Sequence, residues 1–158
     1  MTGYIPAVLV YALREGKVLV MHRNKEPNLG LWTAPGGKVE LTESPHDTAR
    51  REMAEETGLE VEDLRLRGLC TEVSESPDWH WLQFIFVTTR FRGTLQADLR
   101  EGDLAWVTMK EYFTNLPTPQ ADAIFAPRIL AMDATDEGCF QAKFVYNDRL
   151  ELVDWVEY

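Results

Sequence analysis

Cysteine is scarce in this chain of 158 residues: Cys70 and Cys139 lie far apart, form no C-x-x-C and have no histidine nearby at zinc-ligand spacing. A disulfide scaffold and a structural zinc site are thereby excluded, and both thiols are expected to be reduced. Long apolar runs are missing too. The N-terminal stretch Ile5 to Leu13 is too short to span a bilayer, contains Pro6 and has no basic leader before it or small-residue cleavage site after it. Neither a membrane span nor a secretory signal is expected, and a cytoplasmic protein follows. No basic run exists. Lys and Arg number 16 against 26 Asp and Glu, a formal net charge of −10. Nucleic-acid polymers are therefore poor partners, because their binders draw affinity from cations that neutralise phosphates. A small anionic substrate remains compatible if divalent cations bridge the two sets of negative charge.

What is present is an ordinary globular composition, 45% hydrophobic and 27% charged. A chain this long buries roughly two thirds of its unfolded surface without covalent staples. No repeat, low-complexity segment or linker interrupts it, so residues 1–158 read as one α/β domain. Ile5 to Ala12 and Lys17 to His22 flank Arg14-Glu15-Gly16 as a β-hairpin, followed by a polar loop over residues 23–30 and a short segment, Leu31 to Ala34. Leu64 to Val73 and Trp79 to Phe91 read as strands, the second apolar on both faces and so central and covered by two layers. Leu104 to Thr108 is a short strand, Pro119 to Met132 a second helix, and Phe140 to Tyr146 with Leu150 to Val156 a closing hairpin.

The first helix, Ser44 to Leu59, has both ends marked. Ser44 suits the N-cap, Pro45 the first helical position, Asp47 the capping box and Gly58 the left-handed terminator. Ala49 and Met53 lie four residues apart and face the core. Glu52, Glu55 and Glu56 crowd one patch about one turn high, with Arg51 beside them and Glu43 in the preceding loop. By itself such a run is a solvated acidic face, laced by pairs such as Asp47 with Arg51 and Arg51 with Glu55. It is equally the donor set a hard cation such as Mg2+ or Mn2+ prefers. The company favours the second reading: Gly36-Gly37 reads as a turn where backbone can approach a ligand, leading into a capped helix with an arginine placed to orient one glutamate.

Gly37, five residues, Glu43, seven residues, then Arg51-Glu52-Met53-Ala54-Glu55-Glu56-Thr57-Gly58-Leu59 resembles the complete Nudix box, G-x5-E-x7-R-E-U-x-E-E-x-G-U with U apolar. Every defined position matches. The resemblance implies an α/β/α sandwich with a mixed central sheet and hydrolysis of a nucleoside diphosphate linked to another group. It also implies Mg2+, with Mn2+ as a substitute, held by Glu52, Glu55, Glu56 and the Gly36 carbonyl. Arg51 would orient Glu52, and Glu43 would tie the loop to the helix. One of the glutamates, Glu52 first, would take a proton from the attacking water.

Within the family the chain resembles MutT-type enzymes that clear oxidised purine nucleoside triphosphates such as 8-oxo-dGTP. Residues 21–25, 31–40, 101–107 and 142–146 carry that likeness. It implies phosphate contacts from Arg23 and Lys38, and a further metal ligand or water-positioning acid in Glu101, which stands among Asp98, Arg100 and Asp103. Arg23 and Lys38 as plain loop cations, and Glu101 as a solvated loop acid, remain open. The base would be read at Thr33 and at Asp122, where relatives of the mammalian type carry an asparagine and a pair of aspartates. Asp122 as a helix N-terminal acid is the other reading. Trp32, Phe125 and Trp79 could stack on a base or fill the core. The same chemistry on a nucleotide sugar or dinucleoside polyphosphate, and a non-catalytic nucleotide sensor, are the alternatives. The partner expected is a small-molecule nucleotide, with the chain a monomer or homodimer.

Overall fold

The computed structural model describes residues 3–96, 100–132 and 135–158. Along them run β1 (Ile5–Arg14), β2 (Lys17–Arg23), β3 (Trp32–Thr33), β4 (Gly36–Lys38), α1 (Pro45–Thr57), β5 (Glu60–Val61), β6 (Arg65–Ser74), β7 (Trp81–Thr88), β8 (Phe91–Arg92), β9 (Gly102–Thr108), α2 (Met109–Thr114), α3 (Gln120–Leu130), β10 (Phe140–Tyr146) and β11 (Leu152–Glu157). The main sheet has the order β11-β10-β6-β7-β1-β2-β3, with β4 also on β1 and β9 also on β2. It is mixed: β1 runs parallel to β7 and β10 parallel to β6, while the remaining pairs are antiparallel.

Alternation along β1 builds two cores. Val8, Val10 and Ala12 join Phe86 against Ala49 and Met53 of α1. Tyr11 on the opposite face joins Ile85, Phe144 and the α3 residues Phe125 and Ile129. A helix therefore covers each face, the expected α/β/α sandwich. Among the described residues no helix is long and apolar enough to cross a membrane. Cys70 and Cys139 are free thiols.

The start of α1 follows from local chemistry. Ser44 Oγ accepts from the Asp47 amide at 3.1 Å and Asp47 Oδ2 accepts from the Ser44 amide at 3.0 Å, the reciprocal capping box. Gly58 ends the helix at φ 78°, its N–H donating to the Ala54 carbonyl. Three expectations need correction. The strand expected over Trp79 to Phe91 ends at Thr88, because the Thr88 hydroxyl and the Arg90 amide both donate to Asp63 Oδ1, at 2.8 and 3.0 Å, and turn the chain. Phe91–Arg92 then pairs with Glu60–Val61 in a separate two-stranded sheet. A short helix, α2, was not anticipated; Thr108 caps it, and it delivers Tyr112, whose hydroxyl meets that of Tyr11 at 3.2 Å in the core.

The third correction concerns Gly36-Gly37, which forms a strand. β1 and β2 are hydrogen-bonded only beside their turn, at Leu13↔Val18 and Arg14↔Lys17. Beyond it they splay, and the freed edges are taken separately, β4 by β1 at Ala7 to Leu9 and β3 by β2 at Met21 and His22. Ala34 and Pro35 cross the opening, pinned where the Val10 amide donates to the Pro35 carbonyl at 2.9 Å.

Candidate active site

The splay brings β4 against α1. Gly37 has no side chain, and a Cβ there would lie 2.4 Å from Glu52 Oε1; the glycine makes room for the carboxylate. Next to it the Gly36 amide donates to Glu56 Oε2 at 3.1 Å. Arg51 is the hub. Its Nε and Nη2 grip Glu43 at 2.8 and 3.0 Å, and its Nη1 reaches Glu52 at 2.9 Å and Glu55 at 3.2 Å. Glu43 also accepts from the Thr48 hydroxyl and the Glu40 amide, which closes the loop onto the helix. The Arg51 hydrogen bonds hold the Glu43 carboxyl down at about 2. Asp47, offered above as an Arg51 partner, is engaged in the capping box.

The three glutamates do not form one patch. Glu52 and Glu56 lie close enough to influence each other and face the same cleft. The Glu55 side chain is 60% exposed against 14% for Glu52, and it serves Arg51 instead. Burial, then the charge of Glu52, pushes Glu56 up to about 8, and burial raises Glu52 as well. Glu101 lies close enough to add its repulsion to Glu56, although Lys25 holds it at 2.6 Å and Arg23 at 3.8 Å. Asp98 lies outside the described residues. Among the described residues no three Asp, Glu, His or Cys side chains form a cation cage by themselves. Two adjacent carboxylates nevertheless suit Mg2+, which dehydrates reluctantly and is commonly bound by one or two carboxylates together with substrate phosphates.

The cleft these acids face has a volume of about 920 Å³. Arg23, Lys25, Lys38 and Glu101 line it beside the acids, and Thr33 and Asp122 line it further along. Arg23 Nε donates to the Pro27 carbonyl at 2.6 Å, and the Lys38 ammonium lies 5.8 Å from the centre of the Trp81 ring. Asp122, in the first turn of α3, is 6% exposed, and burial raises its carboxyl well above the usual range. Of the aromatic candidates Trp79 lines the cleft, whereas Trp32 stacks on His22 and Phe125 packs against Phe144 in the core. Glu72, Gln83 and Tyr146, to which the sequence assigns no site role, share this wall with Asp122. Their signal was available: Glu72 alternates with Cys70, and Gln83 stands between Trp81 and Ile85, polar residues at inward positions of otherwise apolar faces.

Residues 3–129 match the NUDIX domain, and the chain belongs to the Nudix family. It is a Nudix hydrolase by that membership. It is 31% identical over 144 residues to the uncharacterized Nudix hydrolase YvcI of Bacillus subtilis, covering 89% of this chain and 86% of that one. Over 102 residues it is 31% identical to the ADP-ribose pyrophosphatase of Methanocaldococcus jannaschii, 62% of this chain and 60% of that one. Over 83 residues it is 31% identical to the 8-oxo-dGTP diphosphatase of Proteus vulgaris, 52% of this chain and 72% of that one. Among solved structures, the mutator MutT protein of Bacillus halodurans superposes with a TM-score of 0.84 at 27% identity, covering 97% of both chains.

Proposed function

We propose that this chain is a Mg2+-dependent nucleoside triphosphate pyrophosphohydrolase of the cytoplasm, releasing a nucleoside monophosphate and pyrophosphate, with oxidised purine nucleotides such as 8-oxo-dGTP as substrates. The observation that carries the reading is the single cleft in which an acid pair, Glu52 and Glu56, and a buried polar wall around Asp122 lie at different places. A triphosphate and a base need such a division. The named activity of the Proteus vulgaris relative and the likeness to the Bacillus halodurans MutT protein support it.

Glu52, Glu56 and the Gly36 backbone would hold the cation, with Glu101 released from Lys25 and Glu55 as an outer acid. The ion supplies charge compensation along the phosphate chain and activation of the attacking water. Arg51 fixes the Glu52 carboxylate from one side while Gly37 leaves it space from the other. One carboxylate of the Glu52–Glu56 pair would receive the proton of the attacking water. Arg23, Lys25 and Lys38 meet the phosphates; Asp122 and Thr33 face the base.

Pyrophosphate and phosphate release should be followed from normal and oxidised nucleoside triphosphates, sugar nucleotides and dinucleoside polyphosphates, with and without Mg2+. Preferential Mg2+-dependent conversion of 8-oxo-dGTP to its monophosphate is expected, and Glu56→Gln should lower it by orders of magnitude in a folded protein. Nucleotide binding with no turnover of any compound would refute the reading in favour of a sensor. The Methanocaldococcus jannaschii relative favours a second reading, in which the substrate is a nucleoside diphosphate derivative such as ADP-ribose.

A further inference from the structure

Behind Asp122 the cleft wall contains an arrangement that phosphate chemistry does not use. Glu72 on β6 is 5% exposed, and both of its oxygens are engaged: the Tyr146 hydroxyl donates to Oε1 at 2.7 Å, and the Gln83 side-chain amide donates to Oε2. Tyr146 comes from β10 and Gln83 from β7, the two strands that flank β6. A carboxylate accepts and does not donate, so Glu72 turns the NH2 of Gln83 toward itself and the amide oxygen away. That oxygen, Gln83 Oε1, is buried and has no hydrogen-bond partner among the described residues. The same holds for the indole N–H groups of Trp79 and Trp81, whose rings meet edge to face 5.7 Å apart. Buried polar atoms are nearly always paired, so three orphans from residues that line one cleft call for a partner outside the chain.

We propose that Gln83, oriented by Glu72 and Tyr146, is a specificity-determining residue that together with the Trp79 and Trp81 indoles reads a heterocycle carrying a ring N–H flanked by two carbonyl oxygens. The orphan set is one acceptor and two donors, and its complement is one donor and two acceptors. 8-Oxoguanine presents that set on its major-groove edge, where oxidation turns the N7 acceptor into an N–H between the O6 and O8 carbonyls. Uracil and thymine present it at their N3 position. Unmodified guanine has two acceptors on its major-groove edge, and adenine pairs an acceptor with an amine, so each leaves Gln83 or an indole unmatched. A site built on such hydrogen bonds rejects analogues that leave its groups unpaired. The assignment deepens the proposed function, since it names what selects the substrate at the same cleft.

Binding of 8-oxo-dGMP, dTMP, dGMP and dAMP, measured by calorimetry in EDTA, tests it without hydrolysis. The expected result is that 8-oxo-dGMP or dTMP binds at least ten-fold tighter than dGMP and dAMP, about the effect of one matched buried hydrogen bond. Which of the two is preferred identifies the source of the edge. Gln83→Leu should remove the preference, and Tyr146→Phe, which loosens Glu72 and spares the core, should reduce it. Equal binding of all four, no measurable binding, or a preference intact in both variants overturns the proposal. A Gln83-dependent preference in a protein that hydrolyses no triphosphate would defeat the proposed function alone. Turnover of 8-oxo-dGTP with the preference intact in both variants would defeat this inference alone.

Discussion

Replacing Gly37 by alanine should separate folding from turnover. The added methyl would stand 2.4 Å from Glu52 Oε1, 2.5 Å from its carboxyl carbon and 3.0 Å from Oε2. Contacts of this kind relax near ~3.5 Å, so the carboxylate must retreat by about 1 Å. It cannot do so freely, because Arg51 holds Oε1 at 2.9 Å. The backbone itself is under no strain: Gly37 lies in β4 and is not one of the left-handed glycines. Since the atoms met are the far end of a side chain, the fold should be retained, with a change in stability of no more than about 1 kcal/mol. A catalytic group misplaced by about 1 Å costs on the order of a hundred-fold in rate, equivalent to about 2.7 kcal/mol of barrier. The assay is pyrophosphate release at saturating Mg2+ and nucleotide, alongside thermal unfolding of both proteins. Wild-type kcat in a folded Gly37→Ala protein would refute the role of Glu52 position, and a variant that fails to fold would refute the claim that this glycine serves the carboxylate.

Glu43→Gln should remove a pH-dependent contribution. Because its carboxyl is held at about 2 in the folded state against an ordinary 4.5, the stabilisation is present above pH 4.5 and is lost as pH falls toward 2. Urea denaturation at a series of pH values should therefore show the wild-type advantage shrinking over that window; a constant difference would contradict it. Tyr112→Phe leaves the Tyr11 hydroxyl buried without its 3.2 Å partner and should cost about 1–3 kcal/mol, with the Tyr11→Phe/Tyr112→Phe double variant less destabilised than the sum of the singles. Equilibrium unfolding of the three variants checks this. Asp122→Ala should erode discrimination between oxidised and normal purine triphosphates more than it erodes turnover of poor substrates, read as ratios of kcat/KM. Equal losses on every nucleotide would make Asp122 structural.

The features legible in the sequence are those decided by neighbours along the chain. The capping box at Ser44 and Asp47, the terminator at Gly58 and the inward pair Ala49 and Met53 depend on residues within a turn or two, and each is found where the spacing places it. What escaped depends on partners far away. Gly36 and Gly37 read as a turn because their strand partner, Val8 and its neighbours, precedes them by almost thirty residues. Arg51 chose Glu43 over Asp47 because the capping box had already claimed Asp47, a competition that pair spacing does not reveal. The separation of Glu55 from Glu52 and Glu56 came from the same arginine, which draws Glu55 to the exposed side of the helix. Glu72, Gln83 and Tyr146 meet only because the order β10-β6-β7 juxtaposes three strands distant in sequence.

Strand β1 acts as a partition between two sets of constraints. One of its edges carries β4, which positions the Glu52 and Glu56 acids; the other carries β7, beyond which lie β6 and β10. At Ala7 the two sides are one residue apart, Lys38 across one edge and Gln83 across the other. The supports of the Glu52–Glu56 pair and the polar wall around Asp122 therefore come from different elements, which meet where the Lys38 ammonium of β4 stands 5.8 Å from the centre of the Trp81 ring of β7. If the proposed division holds, a library confined to the cleft-facing positions of β6, β7 and β10 would alter ligand preference while sparing Glu52, Glu56 and the Arg51 contacts that fix them. Because β4 and α1 precede β6, β7 and β10 in the chain, recombining relatives between α1 and β6 would transplant one set without the other.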